Sequence, residues 1–397
     1  ACCFSCCFRA MAEITKFFTF GLTPVHTPVK NNQENACNIQ PMKKIVSIIG
    51  ARPQFIKAAA VCRALKENML HEVLVHTGQH FDQNMSQVFF EQMQIAPPDY
   101  NLGIHGLGHG AMTGRMLEAI EEVLMAEKPD VVLVYGDTNS TLAGALAAAK
   151  LLIPLAHVEA GLRSFNRLMP EEINRILTDR LSQWLFCPTI TSMNNLKAEG
   201  FESFDCQMHL CGDVMYDASL LFAPMSRPPA GLETGGDFLL CTLHRAENTD
   251  NRERLASIIE AINQLSQNMQ VVFPVHPRTA RLLGRDGLPG LAPGVIRLQP
   301  VGYLESLWLL RHARMLATDS GGMQKEAYFF GLPCLTLRDE TEWVELVDAG
   351  CNILCGAEKN RILQAYSHFI YQKPAFPPGL YGKGNAGQII ARHLYDS

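Results

Sequence analysis

The stretch Lys44-Ile45-Val46-Ser47-Ile48-Ile49-Gly50-Ala51-Arg52-Pro53-Gln54-Phe55-Ile56-Lys57 decides the fold. Its first six residues read as a strand buried on both faces, because apolar and β-branched side chains run on with almost no alternation. Gly50 and Pro53 turn the chain, and proline suits the start of a helix, where its missing N–H leaves nothing unsatisfied. An amphipathic run over 55–66 follows. The same order recurs outward. Strands are read at 72–77, 131–135 and 155–158, with a helix at 141–150. A second set has strands at 238–243, 271–275, 295–298, 314–318 and 333–337, with helices at 252–267, 303–311 and 323–330. Apolar strands alternating with helices require a parallel sheet covered on both faces. The expectation is an α/β protein of two Rossmann-like doubly wound domains with a cleft between them. The first spans 43–212 and takes back a terminal helix at 384–397; the second spans 213–383. The Pro- and Gly-rich stretch 223–236 is placed near the hinge.

Composition agrees. Of 397 residues, 47% are hydrophobic and 18% charged, enough apolar material for real cores and too much for a disordered chain. Thirty-four basic against 39 acidic residues leave no excess to neutralise a nucleic-acid backbone. No apolar run approaches the length of a membrane span. Five of the 13 cysteines fall early, at Cys2, Cys3, Cys6, Cys7 and Cys37; the rest are scattered singly, as at Cys241 and Cys334. That spread fits reduced, core-packed thiols in a cytoplasmic protein better than a disulfide framework. Residues 1–42 read unlike the rest. The Cys2–Cys7 cluster has no partner cluster at zinc-finger spacing, and the segment lacks the apolar core and cleavage site of a signal peptide. With Met42 opening a buried-type strand, the segment is expected to be a disordered extension or an artefact outside the natural chain.

In open parallel sheets, ligands bind beyond the carboxyl ends of the strands. The chemistry-bearing residues follow the strands here. Arg52 and Lys57 flank a helix start, where they serve an anion or are simply solvated. Asp137 lies in Gly136-Asp137-Thr138-Asn139-Ser140, where Asp137 or Asn139 also suits an N-cap. Glu159, in His157-Val158-Glu159-Ala160-Gly161, ends an apolar strand, an awkward place for a carboxylate without a partner or a task. Glu171 and Arg175 open the next helix and stand four apart, as a surface pair would. In the second half the strand ends carry His244, His276, Ser320-Gly321-Gly322 and Arg338, with Glu326 a turn into the following helix. Bare backbone N–H groups at Ser-Gly-Gly suit a pyrophosphate, and Glu326 suits ribose hydroxyls; an Asp319-Ser320 cap is the plainer alternative. Dinucleotide, Walker, H-E-x-x-H and G-x-S-x-G patterns are missing, so no metal and no cofactor is expected.

From about Lys43 onward, the segments Gly50–Lys57, Thr77-Gly78-Gln79-His80, Gly136–Ser140, His157–Arg163, Pro170–Arg175, Thr242–Asn248 and Thr318–Glu326 together resemble the non-hydrolysing UDP-N-acetylglucosamine 2-epimerases. The resemblance implies a glycosyltransferase-B-like architecture, UDP held mainly by the C-terminal domain, and a homodimer. It implies reversible conversion of UDP-GlcNAc to UDP-ManNAc by elimination of UDP to a 2-acetamidoglucal and its re-addition. Asp137, Glu159 and Glu171 match the family's catalytic acids, with base and acid unassigned. His244 matches a residue assisting UDP departure. Arg52, His276, Ser320, Gly321, Gly322, Glu326 and Arg338 match nucleotide contacts. Lys57 lies on the sugar side, and Arg175 is counted among the substrate-binding residues. An aromatic near Tyr303 is expected on uracil. The loop 164–169 is shorter than in some relatives. Members with similar segments act on UDP-2,3-diacetamido-glucuronate. A hydrolysing epimerase releasing ManNAc, a retaining glycosyltransferase and a non-catalytic nucleotide-sugar-binding protein are the rivals.

Overall fold

The computed structural model describes residues 42–79, 96–233, 236–285 and 287–397, the side chain of Arg52 excepted. The extension with its cysteine cluster, His80 and the Arg52 side chain therefore lie outside the described residues.

Two all-parallel sheets form. The first contains β1 (Lys44–Ile49), β2 (His71–His76), β3 (Tyr100–Asn101), β4 (Val131–Tyr135), β5 (Leu155–Val158), β6 (Trp184–Cys187) and β7 (Gln207–Leu210), in the order β3-β2-β1-β4-β5-β6-β7. The second contains β8 (Phe238–Thr242), β9 (Gln270–Pro274), β10 (Val295–Leu298), β11 (Met315–Thr318), β12 (Cys334–Thr336) and β13 (Asn352–Leu354), in the order β10-β9-β8-β11-β12-β13. Strands β3, β6, β7 and β13 are absent from the sequence reading, although β6 is itself an apolar run, Trp184-Leu185-Phe186-Cys187. All are four residues or shorter, and β7 is a half-exposed edge of mixed polarity. The central strands are buried along nearly their whole length, which is why their sequences run apolar without a break.

The order of strands reverses between β1 and β4, and again between β8 and β11. At these switch points the loops part to opposite faces and leave a crevice at the strand ends. Lys57 and Asp137 belong to the first crevice, His244 and Ser320-Gly321-Gly322 to the second.

One apolar cluster joins the halves. It contains Ile45, Phe55 and Val61 of the first sheet and its helix Arg52–Glu67, and Val214, Ala218 and Phe222 of the crossing helix Val214–Phe222. It also takes Tyr303 and Leu307 from the second half, and Ile390, Ala391 and Leu394 from the final helix Ala386–Asp396. The chain crosses between sheets twice, and the two crossings touch at glycines. Asp213 N donates to Tyr381 O (3.1 Å). A Cβ on Gly212 would lie 2.9 Å from Tyr381 O, and one on Gly382 2.9 Å from Gly212 Cα. Both glycines have φ near +85°, at +89° and +82°, so neither space nor backbone admits a side chain. Among the described residues no helix is long and apolar enough to cross a membrane.

The final helix lies against Arg52–Glu67, where a Cβ on Gly387 would approach Ala60 O to 3.1 Å. Ile390 is fully buried in that contact. Ile390→Ala should therefore destabilise the protein by about 2–4 kcal/mol, read as a lower urea midpoint; an unchanged midpoint would show that the helix is not held there.

Candidate active site

The first crevice is built on polar contacts between turns. Gln54 Oε1 accepts the N–H groups of Gly50 (2.8 Å) and Ala51 (2.9 Å), and its Nε2 donates to Tyr135 O (2.7 Å). The turn after β1 is thereby tied to the end of β4. Gly50 is required for the close approach, since a Cβ would stand 2.1 Å from Ser140 Oγ and 2.2 Å from Thr77 Oγ1. Thr138 caps the helix Asn139–Lys150, accepting from Thr141 N. Neither Asp137 nor Asn139 is the cap, and the Asp137 carboxylate is left to other work.

Asp137 Oδ2 accepts from Arg175 Nη1 at 2.5 Å. Arg175 also donates Nε (3.0 Å) and Nη2 (2.7 Å) to Glu172 Oε2. The surface pair Glu171–Arg175 does not form. Arg175 is buried with its nitrogens engaged, so in this arrangement it holds Asp137 rather than reaching outward. Glu172 in turn accepts the N–H groups of Ser164 (2.9 Å) and Phe165 (3.0 Å), pinning the loop that joins Glu159 to Glu171. Asp137 keeps about a third of its side-chain surface, 34%. Burial of the rest pushes its pKa up; Arg175 and Lys57 oppose the rise, and the charges of Glu159 and Glu171 add to it. Glu171, exposed in the first turn of the helix Pro170–Leu181, thus stands within electrostatic reach of Asp137.

Glu159 occupies strained backbone, with φ +77°. A non-glycine residue in this region is uncommon, and such strain gathers at functional sites. Phe186 O holds it there, accepting from both Glu159 N and Ala160 N at 3.1 Å. His157, one residue before the strand end, hydrogen-bonds Gly136 O through Nε2 (2.8 Å) and Asp179 through Nδ1 (2.7 Å). The Glu159 side chain is only 6% exposed and lies between two ammonium groups. Lys57 Nζ donates to Oε2, and Lys325 Nζ donates to Oε1 at 3.0 Å. Burial alone would raise the Glu159 pKa, but Lys325 and Lys57 outweigh it and bring it down to about 2. Lys325 also donates to Asp213 Oδ2 (2.5 Å) and lies 4.1 Å from the Trp343 ring centroid. Gly136 makes room for this cluster, since a Cβ there would meet Glu159 Oε2 at 3.2 Å and Lys57 Nζ at 3.3 Å.

In the second crevice Asp319 is fully buried and is no helix cap. Its carboxylate accepts from His244 N (3.1 Å), Arg245 N (2.9 Å) and Asn248 Nδ2 (3.3 Å). It also faces His244 Nδ1 at 3.3 Å, which orients an imidazole that is 40% exposed. The His244 and His276 rings lie 5.7 Å apart, and His276 Nδ1 accepts from Arg278 N. The helix Gly321–Phe329 begins at Ser320 with no side-chain cap, so its first N–H groups stay open to an acceptor. Glu342 stands at that end: a Cβ on Gly321 would be 2.4 Å from its Oε1, while Oε2 accepts from the buried Arg338 Nη1 at 2.7 Å. Among the described residues, Arg338 Nε has no hydrogen-bond partner. Glu326 is buried, with its Oε1 unpaired among the described residues, and burial raises its pKa to about 7 against the opposing effects of Tyr303 and Lys325. Tyr303 itself packs edge-on to Phe222 inside the core.

The structure thus brings Lys57, Asp137, Glu159 and Arg175 together at one set of strand ends, with Glu171 at its edge. His244, His276, Ser320-Gly321-Gly322, Glu326 and Arg338 gather at the other. Lys325 joins the two, being a neighbour of Glu326 in sequence and of Glu159 in space. Sequence reasoning passed over Lys325, Asp213 and Glu342 and offered for Asp319 only a cap, with Ser320, as the plainer alternative. A lysine beside a glutamate on a helix reads as solvated, and only the fold reveals that its partners lie 166 and 112 residues away.

Residues 63–395 match the family model described as UDP-N-acetylglucosamine 2-epimerase. A Pseudomonas aeruginosa protein named UDP-2,3-diacetamido-2,3-dideoxy-D-glucuronate 2-epimerase is 56% identical over 88% of this chain and 99% of its own. A UDP-N-acetylglucosamine 2-epimerase of Methanococcus maripaludis is 43% identical over 89% of this chain and 99% of its own. The crystal structure of the Methanocaldococcus jannaschii UDP-GlcNAc 2-epimerase in complex with UDP-GlcNAc and UDP superimposes with a TM-score of 0.80 at 41% identity, covering 89% of this chain and all of that one.

The raised pKa of Glu326 carries a stability prediction. Between its ordinary value of 4.5 and about 7 the folded state binds the extra proton, so stability falls as pH rises through that window, and the cost is complete above it. Glu326→Gln should therefore gain stability over the parent as pH rises from 5 to 8, by up to about 2–3 kcal/mol. A difference in melting temperature that stays flat across that range would contradict the assignment.

Proposed function

The chain belongs to the UDP-N-acetylglucosamine 2-epimerase family, and from that premise we propose that it inverts C2 of a UDP-linked 2-acetamido sugar. The nucleotide lies against the second sheet and the sugar against the first. A base removes the C2 proton while the C1–O bond breaks towards UDP. The C–H electron pair becomes the C1–C2 double bond of a 2-acetamidoglucal. A proton then returns to C2 on the opposite face and UDP re-adds at C1, so nothing is consumed.

The observation that carries this reading is the pair of unlike carboxylates at the first switch point, opposite an open helix N-terminus at the second. Asp137, whose pKa is raised by burial, suits a group that gains and loses a proton. Glu159, held as an anion, suits an electrostatic or accepting role beside it, and Glu171 completes the family's set of acids. On the departing side, negative charge builds on the diphosphate. The N–H groups at Ser320-Gly321-Gly322, the Arg338 guanidinium and His244 oriented by Asp319 are the groups that would receive it. His276 and Glu326 complete the nucleotide contacts, with Glu326 accepting ribose hydroxyls.

UDP-GlcNAc to UDP-ManNAc is the proposed conversion. A second substrate, UDP-2,3-diacetamido-glucuronate, is favoured by one observation: the relative named for it is 56% identical, against 43% for the Methanococcus UDP-GlcNAc enzyme. Incubating the protein with each sugar nucleotide in heavy water, followed by proton NMR, decides the matter. The expected result is both C2 epimers, still UDP-linked and carrying deuterium at C2, from the preferred substrate. Free ManNAc with UDP would point to a hydrolysing enzyme instead, and unchanged substrate in both arms would refute the proposal. Arg338→Ala should weaken UDP binding by about 1–3 kcal/mol in calorimetry; an unaltered affinity would remove Arg338 from the nucleotide contacts.

A further inference from the structure

The most heavily built feature that the proposed reaction does not use is the lysine between the halves. Lys325 is charged and almost wholly enclosed, its side chain only 2% exposed. It springs from the helix Gly321–Phe329 of the second half. It reaches Glu159 Oε1 of the first at 3.0 Å and Asp213 Oδ2 of the crossing segment at 2.5 Å, and the Trp343 ring covers it. Burying an ammonium is costly unless its partners are well placed, so such a residue is not idle filling. Asp213 is itself fixed, since its Oδ1 caps the helix Val214–Phe222 by accepting from Met215 N at 2.8 Å. It adjoins Gly212, where the two crossings touch.

We propose that Lys325 is a positioning residue for the epimerisation: it clamps Glu159 Oε1 from the opposite half and keeps that carboxylate ionised and aimed while the halves are together. The inference rests on the proposed reaction for its kinetic consequence, not for its geometry.

Among the described residues, the charged groups facing Glu159 are Lys57 on the helix Arg52–Glu67, Lys325 on Gly321–Phe329, Asp213 on the crossing segment and Asp137 after β4. Lys57 and Lys325 favour the anion; Asp213 and Asp137 oppose it. With one lysine gone, burial and two carboxylates act against a single remaining cation, and the proton affinity of Glu159 climbs into the range of an ordinary pH profile. With Asp213 neutralised, Lys325 is left to Glu159 alone, and the proton affinity of Glu159 falls or stays where it is.

The substitutions are Lys325→Met, which keeps length and contact with Trp343 but not charge, and Asp213→Asn, which keeps the capping oxygen. For each, kcat/KM is measured from pH 5 to pH 8 on whichever sugar nucleotide the parent turns over. Lys325→Met is expected to lose at least tenfold more activity at pH 5 than at pH 8, relative to the parent, while UDP affinity stays within threefold. Asp213→Asn is expected to show no such acid loss. A pH-independent drop in Lys325→Met, or an acid loss in Asp213→Asn, would overturn the proposal. An infrared arm needs neither turnover nor a folded Lys325 variant. In the parent at pH 5, no protonated-carboxyl band should disappear on Glu159→Gln; a band that does disappear would show Glu159 protonated and sink the clamp. A parent inactive on both sugars would refute the proposed reaction and leave this spectroscopic result to judge the clamp alone.

Discussion

A carboxylate shut away from water persists as an anion only where cations and donors replace the water. Glu159 is such a group, and much of the surrounding architecture serves that requirement. Its backbone is twisted to φ +77° so that the side chain turns off the end of β5 into the crevice. Phe186 O holds the twist, and Gly136 keeps the space open. One lysine comes from the helix after β1 and the other from the far half of the molecule, itself secured by Asp213. Without that balance the strand end would carry either a strained neutral acid or an uncompensated buried charge.

Glu326 shows the other outcome of the same physics. It is as thoroughly buried as Glu159, yet its pKa lies near 7 rather than near 2. The difference is the number of cations within reach. Glu159 is bonded to two ammonium groups, whereas Lys325 spends its hydrogen bonds on Glu159 and Asp213 and offers Glu326 only a field. Environment, not residue type, thus holds one glutamate as an anion and lets the other keep its proton up to about pH 7.

Much of this was legible in the linear chain, for a definite reason. Strands buried on both faces have no polar side to show, so β1, β4 and β8 stand out as apolar runs, and their ends mark the places where polar residues need a purpose. That rule alone located Asp137, Glu159, His244 and the Ser320-Gly321-Gly322 turn. It failed where contacts are long in sequence or elements are short. Arg175 looked like a partner for Glu171 four residues away, yet Asp137, 38 residues distant, claims it. Thr138 took the cap assigned to its neighbours because its hydroxyl reaches Thr141 N, a difference of one position that no propensity resolves. Lys325 was invisible because its whole significance lies in distances across the fold.

The return of the helix Ala386–Asp396 to the first sheet has a consequence for how the protein is made. The core around Ile45, Phe55 and Val61 is completed by Ile390, Ala391 and Leu394, which a ribosome adds only after both sheets have been synthesised. At about 5–20 residues per second, the chain between β2 and that helix takes on the order of a quarter of a minute to a minute to emerge. Until then the helix Arg52–Glu67 can be covered by the helix Val214–Phe222 but lacks Ile390, Ala391 and Leu394. Cutting the chain at Gly212 would therefore leave a first half whose core lacks Ile390, Ala391 and Leu394.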